Sequence, residues 1–198
     1  GCLAQKYKGE LKKAIPEISG MIGTSDIKEI VEVVDKIADN KNYIEHVSEK
    51  PEYIYPENIE RQQITVGSSS YIKIADGCNY HCGYCIIPQL RGEYHSRTIE
   101  NILEEANSLV KKGVTEIVLI AQDTTSYGID LYGKPALPKL LEELNKIEGL
   151  GWIRILYAYP TQVTDELIDT IARLDKVVKY IDLPLQHYNQ DILKAMRR

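Results

Sequence analysis

The chain has 198 residues, of which 43% are hydrophobic and 27% are charged, and its formal net charge is −5. This composition is ordinary for a globular protein of one large domain or two small ones. The sequence has no apolar run near the ~18 residues of a membrane span, no apolar signal core at its start and no long basic block. We therefore expect a cytoplasmic protein that binds neither a membrane nor DNA.

The first 40 residues predict the end of an α/β domain. A helix is predicted over residues 4–13, and the apolar run over residues 18–23 is typical of a strand. Apolar residues then recur at helical spacing from Ile27 to Ile37, behind N-cap candidates at residues 24–26. Position 1 is not Met, and the final KAMRR lies inside a predicted helix, so we expect a piece of a longer protein.

Residues 41–70 differ in character from the residues on either side. Asn, Lys, Glu, Pro and Tyr dominate the segment, and it ends in Gly-Ser-Ser-Ser. This composition predicts a linker, with a short hairpin around residues 64–66.

From residue 71 onward, apolar runs alternate with amphipathic segments. Four such β–α units in series predict a parallel sheet with helices outside it. Four strands cannot close a barrel, so we expect either an open sheet or a barrel completed by residues outside this chain. The predicted strands are residues 71–75, 116–121, 152–158 and 180–183, and the predicted helices are residues 99–112, 138–147, 164–174 and 190–196.

A polar or otherwise unusual stretch follows each of these predicted strands. In chain order the stretches read DGCNYHCGYC, QDTTSYG, YP and PLQH. Because the carboxyl ends of parallel strands meet at one edge of a sheet, where ligands bind, we expect the four stretches to converge. The cysteine-rich stretch therefore lies at the expected active site.

Three cysteines, Cys78, Cys82 and Cys85, lie within eight residues, at spacings of four and three. Thiolates this close together are typical ligands of soft metals. A structural zinc site needs a fourth ligand, for which His81 or His95 is available, although zinc cysteines usually occur in pairs. A ferredoxin brings four cysteines to each cluster. A 4Fe–4S cluster on three thiolates leaves one iron open, and S-adenosylmethionine (SAM) can chelate such an iron.

The block CNYHCGYC, with Tyr84 before its last cysteine, resembles the signature of radical-SAM enzymes. The longer stretch ADGCNYHCGYCIIPQLRGEYHSR is similar to the methylthiotransferase family, and the initial GCLAQKY resembles the motif at the third cysteine of that family's N-terminal domain. The resemblance implies an α/β fold. Residues 71–198 would form part of a parallel (β/α) radical-SAM barrel, after the tail of the N-terminal domain (1–40) and a linker (41–70). The barrel end and a TRAM domain would lie outside this chain.

The same resemblance implies two 4Fe–4S clusters and SAM as cofactors. Cys78, Cys82 and Cys85 would hold the SAM-binding cluster. Cys2 would be a ligand of a second cluster, whose other two cysteines are not in this chain. One SAM would methylate sulfur held at the second cluster, and another would yield the radical that abstracts hydrogen from the substrate.

The stretches AQDTTSYG, YAYP and DLPLQH are similar to one branch of the family. That branch adds a methylthio group to the β-carbon of an aspartate in a small-subunit ribosomal protein. The implied substrate is that small-subunit ribosomal protein, free or in the ribosome. A reductant protein is a further implied partner. The alternatives are the branch that modifies adenosine in tRNA and, outside the family, a zinc-binding interaction module.

Five further residues are predicted to bind cofactor or substrate. Arg91 and Arg97 could pair with carboxylates of SAM or substrate, since the Arg fork matches a carboxylate, or could form salt bridges in a loop. By the resemblance, Gln122 and Asp123 would contact the SAM amino group; a loop-capping role is the alternative. Tyr84 could pack against the adenine or lie buried under the loop.

Overall fold

The computed structural model describes residues 1–40, 42–51, 64 and 67–198 of the chain. The chain forms two structural units. The first contains Gly1–Ile54 and Gly77–Glu93, and the second contains Tyr55–Asp76 and Tyr94–Arg198. The cysteine-rich stretch therefore belongs to the first unit, although it is flanked along the chain by the second.

The first unit is built on two short parallel strands, β1 (Gly20–Ile22) and β2 (Ile44–His46). Parallel strands require a crossover connection, and helix α2 (Ile30–Asn40) with the 3₁₀ turn before it (Ile27–Glu29) supplies one. A Cβ on Gly20 would lie 2.5 Å from Cδ1 of Ile37, so glycine lets α2 pack closely over β1. Helices α1 (Cys2–Ala14) and α3 (Ile87–Arg91) complete this unit. The helix and the strand predicted at the start of the chain are confirmed.

Strand β2 lies inside the segment that was predicted as a linker. It has only three residues, of which one is half-buried and two are exposed, so it carries no alternating pattern that reveals a strand. Its extended conformation depends on pairing with β1, residue 20 opposite residue 44. The hairpin predicted around residues 64–66 falls largely outside the described residues.

The second unit is organised around a three-stranded parallel sheet. Its order is β3 (Ser69–Lys73), β6 (Glu116–Ile120) and β7 (Trp152–Ile155), so the prediction of parallel strands is confirmed. Helices α4 (Ile99–Lys111), α6 (Leu137–Asn145) and α7 (Asp165–Arg173) supply much of its hydrophobic core. The fully buried core side chains include Ile72, Ile117, Leu119 and Ile153 from the sheet, Ile102 and Leu109 from α4, and Leu140, Leu141 and Leu144 from α6.

Several short elements accompany this sheet. The strands β4 (Ala75–Asp76) and β5 (His95–Ser96) pair antiparallel and bracket the segment Gly77–Glu93 along the chain. The remaining elements are α5 (Ile129–Tyr132), a 3₁₀ turn (Pro160–Gln162) and α8 (Gln190–Ala195). Two helix starts are capped by threonine: Thr98 Oγ1 accepts from the amide of Asn101 and Thr164 Oγ1 from that of Leu167. Within the described part of the chain, every helix is too short or too polar to cross a membrane.

The strand predicted over residues 180–183 is wrong, since these residues form no ladder. Two separated contacts join the chain around β7 to the chain around this segment. An isolated parallel bridge joins Ile153 to Val177, and the amide of Ala158 donates to the carbonyl of Asp182 at 2.9 Å. Between these points β7 ends at Ile155, and Tyr157 adopts a left-handed conformation with φ of 62°. Residues 180–183 therefore have no continuous extended strand beside them with which to form a ladder.

Candidate functional site

The cysteine loop of the first unit leaves residue 76 through a turn that only glycine can form. Gly77 has φ of +78°, and a Cβ there would lie 1.8 Å from the carbonyl oxygen of Glu93. The amide of Cys78 donates to the carbonyl of Gly92 at 3.2 Å, which closes the base of the loop. At its tip the amide of Cys85 donates to the carbonyl of Cys82 at 2.9 Å, so these two thiols share one tight turn.

Among the described residues, none of the three cysteines of the loop forms a disulfide, and their side chains differ in exposure. Cys82 is buried, Cys78 is half-buried and Cys85 is exposed. Three soft donors on a compact, partly exposed loop fit a 4Fe–4S cluster that keeps one iron accessible. Tyr84 is 51% exposed, so the alternative prediction that it lies buried under the loop is wrong. Its packing against adenine stays a prediction.

Two residues predicted separately, Cys2 and Arg91, come together in the first unit. Nη2 of Arg91 lies 3.9 Å from Sγ of Cys2. Cys2 is the first residue of α1, and Arg91 is the last residue of α3, six positions after Cys85. The contact places a permanent cation beside the thiol that the resemblance assigns to the second cluster.

In the second unit, Gln122 follows β6 and carries a buried polar atom without a partner. Its carbonyl oxygen Oε1 is inaccessible to solvent and accepts no hydrogen bond from the described residues. A buried acceptor left unsatisfied costs free energy, of order 1–3 kcal/mol. The side chain is therefore suited to receive a donor from a ligand, such as an ammonium group.

The neighbouring Asp123 is fully engaged by its own loop. Its Oδ1 accepts from the amide and the hydroxyl of Thr125 at 2.9 and 2.5 Å, and its Oδ2 accepts from the hydroxyl of Ser126. The side chain is buried, and its main-chain carbonyl receives the Tyr94 hydroxyl at 2.6 Å. These contacts match the loop-capping alternative given for Asp123, because both carboxylate oxygens are used within the chain.

The guanidinium of Arg97 likewise pairs with groups of the chain itself. Its guanidinium is buried and pairs with Glu105 of α4 at 2.6 Å. It also donates to the carbonyl of Lys73 at 2.8 Å and to Oδ1 of Asn101 at 2.7 Å. The fork thus joins β3 to α4, and this geometry matches the salt-bridged alternative.

The buried Tyr127 forms a hydrogen bond with the main chain of Arg97. Its hydroxyl donates to the main-chain carbonyl of Arg97 at 2.7 Å. Burial raises the pKa of the Tyr127 hydroxyl far above its ordinary value. The hydroxyl is therefore a neutral hydrogen-bond donor that connects the loop after β6 to the start of α4.

A cleft follows the carboxyl end of β7, and residues of the YP and PLQH stretches line it, as their predicted convergence implies. It encloses about 640 Å³, and the cation of Arg198 lies over the ring of Tyr159 at 4.3 Å. Gln186 and His187 also line it, which gives these two residues of the PLQH stretch a place in a ligand-sized cavity. The sequence pattern did not predict that helix α8 would also contribute to the wall, through Gln190 and Leu193.

Comparisons with known proteins agree with the chemistry of the cysteine loop. The model of the family described as the Radical SAM superfamily matches residues 72–198. Among solved structures, the radical S-adenosylmethionine methyltransferase TsrM from Kitasatospora setae superposes with a TM-score of 0.56 at 17% identity. The superposition covers 76% of this chain and 29% of that protein, and it supports the fold alone.

Curated relatives match the whole chain at much higher identity. The chain is 51% identical over 198 residues to a protein of Thermoanaerobacter sp. named ribosomal protein uS12 methylthiotransferase RimO. Proteins of the same name from Caldanaerobacter subterraneus and Prochlorococcus marinus are each 52% identical. All of this chain is covered in each case, but only 45%, 45% and 43% of the respective relatives. The chain therefore spans less than half the length of the relatives it matches.

Proposed function

Because the chain belongs to the radical SAM superfamily, we propose that its protein adds a methylthio group to the β-carbon of an aspartate in ribosomal protein uS12. The observation that carries this proposal is identity of about 50% along the entire chain to proteins named for that activity. The net charge of −5 on this chain provides little attraction for tRNA.

Enzymes of this superfamily use a 4Fe–4S cluster and SAM. Cys78, Cys82 and Cys85 would hold the cluster as thiolates, and the iron that lacks a protein ligand would accept SAM. When both are bound, the chemistry they supply is reductive cleavage of a carbon–sulfur bond, which produces a radical able to abstract hydrogen. The loop itself contributes a main-chain turn that begins at Cys82 and ends at Cys85.

The loop after β6 would also contribute a contact to SAM, as the resemblance implies. Gln122 offers its buried carbonyl oxygen, which would accept a hydrogen bond from the SAM ammonium group. Asp123 would support this loop without contacting SAM, because its carboxylate accepts hydrogen bonds from Thr125 and Ser126. Tyr84 would pack against the adenine, and its half-exposed ring is available for that contact.

The location and the remaining partners follow from this activity. A modifier of a ribosomal protein acts in the cytoplasm, where the ribosome is assembled. Reductive cleavage consumes an electron, so a reductant protein would be a further partner. Cys2 would serve as one ligand of the second cluster, together with cysteines from outside this chain.

The test uses the full-length protein, reconstituted anaerobically with iron and sulfide. SAM and a reductant are supplied together with either uS12 or tRNA, and mass spectrometry locates any methylthio group. We expect 5′-deoxyadenosine and modification of one uS12 aspartate, with both lost in a Cys82→Ser variant. Modification of tRNA alone would contradict the proposed substrate. A colourless protein that binds zinc and forms no 5′-deoxyadenosine would contradict the radical chemistry.

A further inference from the structure

Tyr157 is held in a left-handed backbone conformation two residues beyond β7. Its φ is 62°, a region that glycine adopts readily and that bulky side chains rarely occupy. Such a conformation persists only where the surrounding structure enforces it, and residues of this kind concentrate at ligand-binding sites.

Hydrogen bonds from two neighbouring segments enforce the conformation. The amide of Thr124 donates to the carbonyl of Tyr157 at 3.0 Å, and the Thr124 hydroxyl lies 3.3 Å from the same oxygen. On the other side, the amide of Tyr157 donates to Oδ2 of Asp182 at 2.9 Å. The backbone of Tyr157 is thus fixed between the loop after β6 and residue 182, whatever side chain it carries.

The side chain itself contributes little to the fold. It is 50% exposed, and its hydroxyl makes no hydrogen bond within the part of the chain that the structure describes. Tyr94 and Tyr127 differ, because both are buried and both hydroxyls donate to a main-chain carbonyl. A glycine would satisfy the same backbone contacts without strain, so packing does not explain why a tyrosine is present.

The surroundings of Tyr157 point to a ligand. Thr124, which binds its carbonyl, is two residues after Gln122, whose buried oxygen lacks a donor among the described residues. Tyr157 thus lies at the carboxyl edge of the parallel sheet, beside the loop that would hold SAM. Two residues further along the chain, Tyr159 begins the lining of the 640 Å³ cleft.

We propose that Tyr157 is a substrate-contact residue whose hydroxyl donates a hydrogen bond to the carboxylate of the target aspartate. This inference rests on the proposed function and adds the residue that orients the reacting side chain. A neutral phenol suits the role, because it binds a carboxylate through a directional hydrogen bond. The enforced backbone presents the phenol at the sheet edge, so little freedom remains to be lost when substrate binds.

The test compares Tyr157→Phe and Tyr157→Gly in the full-length reconstituted enzyme. Each assay measures 5′-deoxyadenosine, modified uS12 and the KM for uS12, and thermal unfolding is followed separately. In Tyr157→Phe we expect the ratio of 5′-deoxyadenosine to modified aspartate to rise about tenfold, as loss of one charge-assisted hydrogen bond predicts, with an unchanged Tm. In Tyr157→Gly we expect the same uncoupling and a higher Tm, because the strain is relieved.

Tyr180→Phe is the matched control, since Tyr180 is similarly exposed at 48% and its φ is not positive. Wild-type coupling and KM in both Tyr157 variants would overturn the inference while leaving the proposed function intact. If the wild-type enzyme cleaves SAM but leaves uS12 unmodified, the proposed function fails, and the inference fails with it. A lower Tm in Tyr157→Gly would overturn the argument from strain.

Discussion

The guanidinium of Arg91 lies 3.9 Å from the thiol of Cys2, a residue 89 positions earlier in the chain. The contact joins the helix that follows the cysteine loop to the helix that begins at Cys2. The geometry of the Arg fork suggested a carboxylate of SAM or substrate as the partner of Arg91, and the fold also brings its guanidinium beside a sulfur atom. A cation at this distance favours additional negative charge on the second cluster that Cys2 is proposed to ligate.

Replacing Arg91 should therefore change the potential of the second cluster in the full-length protein. Arg91→Met removes the charge and the N–H donor at similar length, and we expect the potential to fall by roughly tens of millivolts, since hydrogen bonds to sulfur set such potentials. Arg91→Lys retains the charge and should shift it less. Redox titration monitored by electron paramagnetic resonance measures both. A potential unchanged in Arg91→Met would show that the contact has no electronic effect.

Asp123 should matter for stability because two buried hydroxyls depend on it. Asp123→Ala removes the carboxylate that accepts from the hydroxyls of Thr125 and Ser126, and we expect a loss of about 2–4 kcal/mol. Asp123→Asn keeps one oxygen acceptor at the same place and should cost about 1 kcal/mol. Thermal and urea unfolding of the apo protein measure the difference. Equal stability of wild type and Asp123→Ala would contradict the loop-capping role.

Arg97 should likewise behave as a structural residue. Arg97→Ala removes the guanidinium that pairs with Glu105, whose side chain is only 12% exposed, and we expect a loss of about 3–5 kcal/mol. Arg97→Lys cannot reach all three acceptors and should be intermediate. The double variant Arg97→Met/Glu105→Leu should lose less than the two single changes together. Weakened SAM binding with unchanged unfolding in Arg97→Lys would support a direct cofactor contact instead.

The sequence predicts the main elements of this fold because their signals are local. A run such as EIVLI is apolar on both faces, which is typical of a strand covered by helices, and β6 lies there. The cap at Thr164 is equally local, since donor and acceptor are three residues apart. By contrast, β2 depends on its pairing with β1, and the strand predicted at residues 180–183 lacks a continuous partner.

In the candidate site, too, local features are predictable from the sequence and tertiary contacts are not. Three thiols at spacings of four and three residues indicate a metal cluster from the sequence alone, because the ligand type and the spacing are local features. The partners of Arg97 and Asp123 were not resolved from sequence, since each side chain had two reasonable roles and only tertiary contacts distinguish them. The positive φ of Tyr157 is not predictable from the sequence, because contacts with two other segments impose it and the residue type does not.

Tyr127 should make part of the stability depend on pH in alkaline solution. Burial raises its pKa above the ordinary value of 10.0, so the unfolded state loses this proton at a lower pH than the folded state. Its stabilising contribution is complete below about pH 10 and is lost as pH rises toward the folded-state pKa.

Tyr127→Phe removes both the titrating hydroxyl and its hydrogen bond to the carbonyl of Arg97. We expect a loss of about 1 kcal/mol at pH 8 and a shallower fall of stability above pH 10. Tyr188→Phe is the matched control, because Tyr188 is 98% exposed, and it should alter neither quantity. Unfolding midpoints between pH 8 and 11 measure both variants. If Tyr127→Phe keeps the wild-type slope above pH 10, the alkaline loss of stability arises elsewhere.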